Sequence, residues 1–169
     1  MGHAPDDVEL KTDLTGETAL VTGATRGIGA EIAAELAELG ATVYAGARDP
    51  ADVTAPDQRA VQLDVTDEAE IRAAVDRVES EAGSLDALVN NAGVFHRSGP
   101  LDGMDTEAFD RTLAVNLRGP ALVTKHALPL LLAGEGGRVV TLSSGLGRYT
   151  EGQMGGDYPA YRLSKVGVG

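Results

Sequence analysis

The chain contains no cysteine and no tryptophan among its 169 residues. The absence of cysteine excludes disulfide bonds, thiolate metal sites and a cysteine nucleophile. No apolar run approaches the ~20 residues that a membrane-spanning helix requires. The N-terminal segment carries Asp6, Asp7 and Glu9 where a secretory signal would have basic and then apolar residues. Together these absences predict a cytoplasmic protein with no membrane partner.

Basic residues are scarce, with 14 Lys and Arg against 26 Asp and Glu, for a formal net charge of -12. The lysines are Lys11, Lys125 and Lys165, and the remaining cations are arginines. This balance argues against nucleic-acid binding, because no basic stripe is present to neutralise phosphates. We interpret the acidic surface as suited to the salty cytoplasm of a halophile. Replacement of lysine by arginine in a GC-rich genome is the alternative explanation.

Short apolar runs alternate with helical patterns along the chain, which predicts an α/β fold with helices on both faces of a parallel sheet. Residues 1–15 form a polar lead-in and residues 16–169 one domain. Thr66 is the predicted N-cap of the second helix. The predicted strands are 18–21, 42–47, 60–63, 87–89 and 138–142; the predicted helices are 27–39, 67–81, a long one from 106 that bends at Gly119-Pro120, and one from 159.

A glycine-rich turn, TGATRGIG at residues 22–29, lies between the first predicted strand and the first predicted helix. Gly23 permits the turn, Gly27 lets the backbone approach a pyrophosphate, and Gly29 lets the helix pack closely on the sheet. A strand, such a turn and a helix in this order are typical of a dinucleotide phosphate site.

A tyrosine and a lysine lie four residues apart at Tyr161 and Lys165, so on a helix they share one face. A cation ~4 Å from a phenol contributes about 4 kcal/mol at an effective dielectric of ~20, which brings the phenol pKa towards neutrality. Tyr158 is a rival, because Arg162 follows it at the same spacing. However, Pro159 is expected to begin the helix and so leaves Tyr158 at or before its cap.

Five motifs, taken in order, resemble the short-chain dehydrogenase/reductase family: the glycine turn, Asn90-Asn91-Ala92-Gly93, Asn116, Ser144 and Tyr161-x3-Lys165. The resemblance implies a doubly wound Rossmann sheet of strand order 3-2-1-4-5. It also implies hydride transfer between a nicotinamide cofactor and a carbonyl or secondary alcohol, and a homodimer or homotetramer for the complete protein.

Carried onto this sequence, the family pattern makes Tyr161 the acid–base group and Lys165 its activator and a cofactor anchor. Ser144 polarises the substrate oxygen, with the neighbouring Ser143 expected to face the other way along a strand. Asn116 holds a water relay, or else satisfies backbone groups near the helix break. Asn90 is expected to be structural. The remaining expected cofactor contacts are Gly23, Thr25, Arg26, Gly27, Ile28, Arg48, Asp64, Val65, Asn91, Ala92 and Gly93.

The end of the second strand predicts a preference for NADP over NAD. Enzymes that use NAD place an acidic residue here for the ribose 2′-hydroxyl, whereas an arginine accommodates the 2′-phosphate of NADP. Ala47 occupies the acidic position, Arg48 follows it, and Arg26 adds a second guanidinium from the glycine turn.

Two departures from the family are visible. Residues 152–157 lengthen the loop between Ser144 and Tyr161, as in carbonyl-reductase-like members, and predict a flexible flap. The chain also stops four residues after Lys165, so we expect an incomplete fold that lacks its later strands. The alternative function is therefore a non-catalytic nucleotide-binding or interaction module. A sugar-nucleotide epimerase of the extended branch is disfavoured by the glycine spacing, and no metal site is expected at His96 or His126.

Overall fold

A computed structural model describes residues 13–134, 136–148 and 158–169. These residues form one five-stranded sheet of order β3-β2-β1-β4-β5, in which every pair is parallel, so the α/β prediction and the strand order are confirmed. The strands are β1 Thr18–Thr22, β2 Thr42–Ala47, β3 Arg59–Gln62, β4 Ala87–Asn90 and β5 Arg138–Thr141. The helices are α1 Gly27–Glu38, α2 Glu68–Ala82, α3 Thr106–Leu113, α4 Gly119–Ala133 and α5 Pro159–Gly167.

The central strand β1 is buried along its whole length because helices cover both faces of the sheet. Leu20 belongs to a core that includes residues of α2 and α4, such as Val78 and Leu130. Its neighbour Val21 belongs to a second core that includes Ala33 of α1. Successive side chains of a strand point to opposite faces, so a run of apolar residues fills both cores. A fully buried side chain of this size contributes about 1.5–3 kcal/mol.

The second helix begins one residue later than predicted. Asp67, and not Thr66, is its N-cap, and the Asp67 carboxylate accepts from the N–H groups of Ala69 and Glu70. The Thr66 hydroxyl instead donates to the Asp64 carboxylate at 2.7 Å. Both residue types cap helices well, so their side-chain preference alone could not separate them.

The long helical stretch is widened rather than broken at its middle. α3 runs into a π-helical turn at Ala114–Arg118, where the Gly119 N–H reaches back to the Ala114 carbonyl, and α4 follows directly. Pro120 has no backbone N–H, so it cannot donate the usual α-helical hydrogen bond to the carbonyl oxygen of Asn116, four residues earlier. We predicted a bend at Gly119-Pro120; the structure shows that the irregularity lies in the turn before it.

The strand β5 lies at one edge of the described sheet and pairs only with β4 there. Its apolar residues Val139 and Val140 are 44% and 51% exposed. Successive side chains of a strand point to opposite faces of the sheet, so both faces of β5 are open to solvent in the described chain. None of the described helices has the length and apolar character to cross a lipid bilayer.

Candidate active site

The glycine turn adopts the backbone shape that only glycine takes up readily. Gly23 and Gly27 have φ angles of +65° and +56°. At Gly29 a Cβ would lie 2.2 Å from the Asn91 amide nitrogen and 2.4 Å from the Gly23 carbonyl oxygen, so helix α1 lies against the turn with no room for a side chain. By contrast, a Cβ at Gly27 would meet nothing within 4 Å, so this backbone faces open space.

The start of α1 fits an anionic group. Arg26 is the N-cap residue, and its side chain makes no capping hydrogen bond within the described chain. The first N–H groups of the helix therefore remain available beside the open backbone of Gly27. Since a helix N-terminus favours negative charge, these residues fit the pyrophosphate of a dinucleotide.

The turn is held by side chains from β1 and from the segment after β4. The Asn91 amide donates to the carbonyl oxygens of Thr22 and Gly23, at 2.9 and 3.0 Å. The Thr22 hydroxyl accepts from the N–H groups of Asn91 and Ala92 and lies 3.4 Å from the Val89 carbonyl oxygen. The Asn91 amide group, expected to face the cofactor, is thus engaged in holding the turn.

Asn90 has the structural position expected of it. Its buried amide nitrogen donates to the hydroxyl of Thr124 on α4 at 3.1 Å and lies 3.5 Å from that of Thr141 on β5. The side chain therefore ties β4 to the neighbouring helix and strand.

The residues expected to hold the adenosine end follow β1, β2 and β3. Arg26, Ile28 and Arg48 are exposed, and neither arginine forms an ion pair with any residue in the described ranges. Ala47 is buried at the end of β2, directly before Arg48. The guanidinium groups of Arg26 and Arg48 are therefore on segments that follow the carboxyl ends of β1 and β2. Thr25, the residue before Arg26, is half-buried.

Asp64 and Val65 form a tight turn after β3. The Asp64 carboxylate accepts from the Thr66 N–H at 2.8 Å, while the Asp64 N–H donates to the Glu70 carboxylate at 2.7 Å. Val65 is buried, and a Cβ at Gly119 would lie 2.9 Å from its side chain. The position of this turn is therefore set by contacts with α2 and α4.

Tyr161 and Lys165 lie one turn apart on α5, with the Lys165 ammonium 5.7 Å from the centroid of the Tyr161 ring. The ammonium donates to the Leu142 carbonyl oxygen at 2.6 Å and is largely buried. Burial lowers the pKa of Lys165, because it penalises the charged form. Tyr158 is the N-cap residue of α5, and Pro159 is its first residue, as predicted.

Asn116 links the segment after β4 to α5. Its side-chain oxygen accepts from the Val94 N–H at 2.8 Å, and its nitrogen donates to the Val94 carbonyl at 2.8 Å and to the Ser164 hydroxyl at 3.3 Å. Ser164 in turn donates to the Tyr161 carbonyl oxygen at 2.7 Å. The buried amide of Asn116 therefore forms hydrogen bonds with backbone groups of the segment after β4. The sequence analysis expected such backbone partners near the Gly119-Pro120 break in the long helix.

Ser143 and Ser144 are not neighbours in a strand, since β5 ends at Thr141. Both serines also lie beyond the predicted strand end at residue 142, so strand geometry gives no reason for their side chains to face opposite ways. The Ser143 hydroxyl donates to the Lys165 carbonyl oxygen at 3.0 Å. The Ser144 hydroxyl accepts from the Leu146 N–H at 3.2 Å and caps a short 3-10 turn at Gly145–Gly147.

Phe95 was missed by the sequence analysis. Its ring centroid lies 4.7 Å from that of Tyr161, in an edge arrangement, and 4.5 Å from that of Tyr158. The only available signal was the position of Phe95, two residues after the Asn-Asn-Ala-Gly motif.

Ala92 and Gly93 of that motif lie between Asn91 and Val94, and Gly93 is exposed. The extended loop at 152–157 lies outside the described residues.

His126 and Asp105 are both engaged in contacts with other protein groups. The His126 ring nitrogen lies 2.8 Å from the Glu68 carboxylate, and the Asp105 carboxylate caps α3. Within the described ranges, no group of three histidine, aspartate or glutamate side chains is arranged to hold a metal ion.

Residues 17–169 match the family model of the short chain dehydrogenases. The chain belongs to this family. It is 39% identical over 145 residues to galactitol 2-dehydrogenase of Agrobacterium fabrum, an alignment that covers 82% of this chain and 56% of that protein. It is 42% identical over 158 residues to cis-4-hydroxycyclohexanecarboxylate dehydrogenase of Sinomonas cyclohexanicum, with 89% and 62% covered.

Solved structures of short-chain dehydrogenases share the fold. The aldohexose dehydrogenase of Thermoplasma acidophilum superposes with a TM-score of 0.83 at 29% identity, covering 93% of this chain and 59% of that one. A metagenomic short-chain oxidoreductase in complex with NADP gives 0.81 at 36% identity, with 91% and 72% covered. The chain thus spans between 56% and 72% of the length of these four proteins.

Proposed function

We propose that this short-chain dehydrogenase is an NADP-dependent oxidoreductase that interconverts a carbonyl compound and a secondary alcohol. The observation that carries the proposal is the pairing of Tyr161 and Lys165 on one helix that packs at the end of β5. The glycine turn lies after β1, in the same parallel sheet. Ligands of open α/β sheets bind outside the carboxyl ends of the strands, so both groups would face one crevice.

The cofactor would be held by the start of α1 and by two arginines. The backbone N–H groups around Gly27 would bind the pyrophosphate, and Arg26 and Arg48 would bind the 2′-phosphate. Asp64 and Val65 would lie beside the adenine, and Asn91, Ala92 and Gly93 beside the nicotinamide ribose. A bound nicotinamide would supply the hydride for reduction of a carbonyl, or would accept it from an alcohol.

Tyr161 would transfer the proton that balances the hydride. During reduction its phenol O–H donates to the carbonyl oxygen; during oxidation the phenolate accepts the alcohol proton. Lys165 lies one helical turn from Tyr161, with its ammonium 5.7 Å from the ring centroid, so it would hold a positive charge beside the reacting phenol.

Ser144 and Asn116 would complete the site. Ser144 lies three residues after the end of β5, and its hydroxyl would donate to the substrate oxygen. The Asn116 side chain is engaged with Val94 and Ser164, so its part in a proton relay would fall to its backbone carbonyl. That carbonyl lacks the usual α-helical partner because Pro120 has no N–H.

The relatives suggest a substrate with a hydroxyl or keto group. Their names specify galactitol, a hydroxycyclohexanecarboxylate and, for a protein 39% identical over 163 residues from Staphylococcus aureus, a 3-oxoacyl group on acyl carrier protein. These three groups share little beyond the oxidised or reduced carbon. The reaction class therefore has more support than any one substrate.

A cofactor titration combined with turnover tests the proposal. NADPH and NADH are titrated into the 169-residue chain by nicotinamide fluorescence, and oxidation of NADPH is then followed with a panel of ketones and aldehydes. Tight NADPH binding with turnover supports the oxidoreductase. NADPH binding without turnover favours a non-catalytic nucleotide-binding module. This alternative is retained because the chain covers only 56% of galactitol 2-dehydrogenase. Absence of any nicotinamide binding would overturn both.

A further inference from the structure

An aromatic cluster flanks the proposed proton donor. The Phe95 ring contacts both Tyr158 and Tyr161, with centroid distances of 4.5 and 4.7 Å, and is 52% exposed. An exposed phenylalanine that touches the catalytic tyrosine presents an apolar surface to whatever binds there. This surface favours a substrate with an apolar ring or ring-like body next to its reactive carbon.

Arg97 extends the cluster on the side of Tyr158. Its guanidinium carbon lies 5.7 Å from the centroid of the Tyr158 ring, within the range of a cation–π contact. Such a contact leaves the N–H groups at the rim of the guanidinium free to bind a carboxylate. A contact with the Tyr158 ring would also restrict the rotamers of Arg97 before a ligand binds, so less rotamer entropy would be lost on binding.

The acidic residues that line the same recess as Arg97 already have partners. Arg97 lines a recess of about 300 Å³ together with His96, Asp105, Glu107, Ala108 and Arg111. The Glu107 carboxylate accepts from Arg111, and the Asp105 carboxylate accepts from two backbone N–H groups at the start of α3. Arg97 forms no ion pair with any residue of the described ranges.

We propose that Arg97 selects substrates that carry a carboxylate on the far side of a ring from the reactive carbonyl. The ring would pack against Phe95 and Tyr158, and the carboxylate would bind the guanidinium of Arg97. In a protein of net charge -12, an anionic substrate needs such a local cation to offset long-range repulsion. This inference rests on the proposed function, since it places the carbonyl at Tyr161.

The reaction itself leaves the carboxylate unchanged. NADPH supplies a hydride to the carbonyl carbon, and Tyr161 supplies a proton to the carbonyl oxygen. The products are the secondary alcohol and NADP⁺, and the carboxylate contributes only binding free energy.

A matched pair of ketones tests the inference: 4-acetylbenzoate and its neutral methyl ester. With NADPH, we expect kcat/KM to be at least about tenfold higher for the acid, since a charge-assisted hydrogen bond is worth that factor or more. Arg97→Gln is expected to lower kcat/KM for the acid by about 10- to 30-fold and to leave that for the ester within about twofold. Arg97→Lys is expected to retain part of the preference.

Arg72→Gln is the matched control, because Arg72 is an exposed arginine on α2 and the substitution removes the same charge. Equal effects of Arg72→Gln and Arg97→Gln would attribute the change to net charge and overturn the inference. Unchanged selectivity in Arg97→Gln, or equal losses for acid and ester, would also overturn it. Thermal melts of each variant check that the fold is intact.

Calorimetric binding of the two ketones in the presence of NADP⁺ separates this inference from the proposed function. If neither these ketones nor any member of the panel of ketones and aldehydes is reduced by the wild type, but the acid binds more tightly in an Arg97-dependent manner, the oxidoreductase proposal fails and binding of the carboxylate by Arg97 stands. If the ketones are reduced without any preference for the acid, the proposed function stands and the selection by Arg97 is wrong.

Discussion

The Asn91 amide occupies the space that a side chain at Gly29 would need: it donates to the Gly23 carbonyl at 3.0 Å and would lie 2.2 Å from a Cβ on Gly29. We therefore expect Gly29→Ala to displace Asn91 or α1. Overpacking of this kind costs about 1–3 kcal/mol. The expected results are a lower melting temperature and weaker NADPH binding, measured by thermal denaturation and fluorescence titration.

Gly83→Ala is the control for that substitution. Gly83 ends α2 with a left-handed φ of +77°, but a Cβ there would meet nothing within 4 Å. It is expected to cost about 1–2 kcal/mol of stability through backbone strain alone, with NADPH affinity unchanged. If Gly29→Ala binds NADPH like the wild type, the packing of Asn91 against Gly29 does not control the phosphate site.

Arg48→Asp is expected to narrow or invert the preference for NADPH over NADH. It removes a guanidinium and supplies a carboxylate that can accept from a ribose 2′-hydroxyl. Losing the charged contact costs about 1.5–3 kcal/mol of NADPH binding. The ratio of the two dissociation constants measures the effect. A wild type that prefers NADH, or a ratio unchanged by the substitution, would show that Arg48 does not read the 2′-phosphate.

Tyr161→Phe is expected to abolish carbonyl reduction and to leave NADPH binding within a few-fold. The ring contact with Phe95 is kept, and only the transferable proton is lost, so the loss falls on kcat. Tyr158→Phe is the matched control, because Tyr158 also contacts Phe95 but lies at the helix cap. Comparable losses in kcat from the two substitutions would contradict the assignment of Tyr161.

The Glu68 carboxylate on α2 is expected to make stability depend on acid pH. Hydrogen bonds from His126 and Lys125 of α4 lower the pKa of Glu68 to about 2, from 4.5. A group whose pKa is depressed by folding stabilises the fold above its unfolded pKa, and this contribution is lost as pH falls through the folded value. The contribution is therefore complete above about pH 4.5 and disappears towards pH 2.

Melting temperatures of Glu68→Gln and the wild type between pH 2 and 7 measure that contribution. We expect the difference to be largest above pH 4.5 and to vanish near pH 2. Glu79→Gln, an exposed position on the same helix, serves as the control and is expected to show no such trend. A constant difference across the range would mean that the ionisation of Glu68 is not linked to folding.

The exposed edge of β5 is expected to make the isolated 169-residue chain associate. Val139 and Val140 are both about half-exposed on a strand with an unpaired edge in the described sheet. Such edges pair readily with other chains. Val140→Lys is expected to reduce association measured by light scattering, whereas high salt is expected to help only partly. A soluble monomer with a sharp cooperative melt would contradict this expectation.

The repeating features of the fold could be predicted from the sequence because their signals are local. The apolar run of β2 and the glycine that follows α1 fix those elements within a residue. The choice between Thr66 and Asp67 as a cap could not be made, since both can accept the same N–H groups. The end of β5 was placed one residue late because Leu142 is as apolar as the strand before it.

The site was predictable where a residue type implies a chemical role and less so where partners come from distant segments. Tyr161 and Lys165 form a local pair whose spacing is visible in the sequence. The bonds of the Asn91 amide to the Gly23 turn, and the contact of Phe95 with Tyr161, join positions more than 60 residues apart. Such contacts depend on strand order and loop path, which a single sequence does not encode locally.

The Thr22 hydroxyl has a consequence for the order of assembly. It accepts from backbone N–H groups 69 and 70 residues further along the chain, so the glycine turn lacks these supports until β4 has joined β1. Contacts of such long sequence separation form late, because loop closure must be achieved first. During synthesis on the ribosome, the phosphate site is therefore expected to remain unfinished until the chain has emerged past Ala92, and a nucleotide could not serve as an early template for folding.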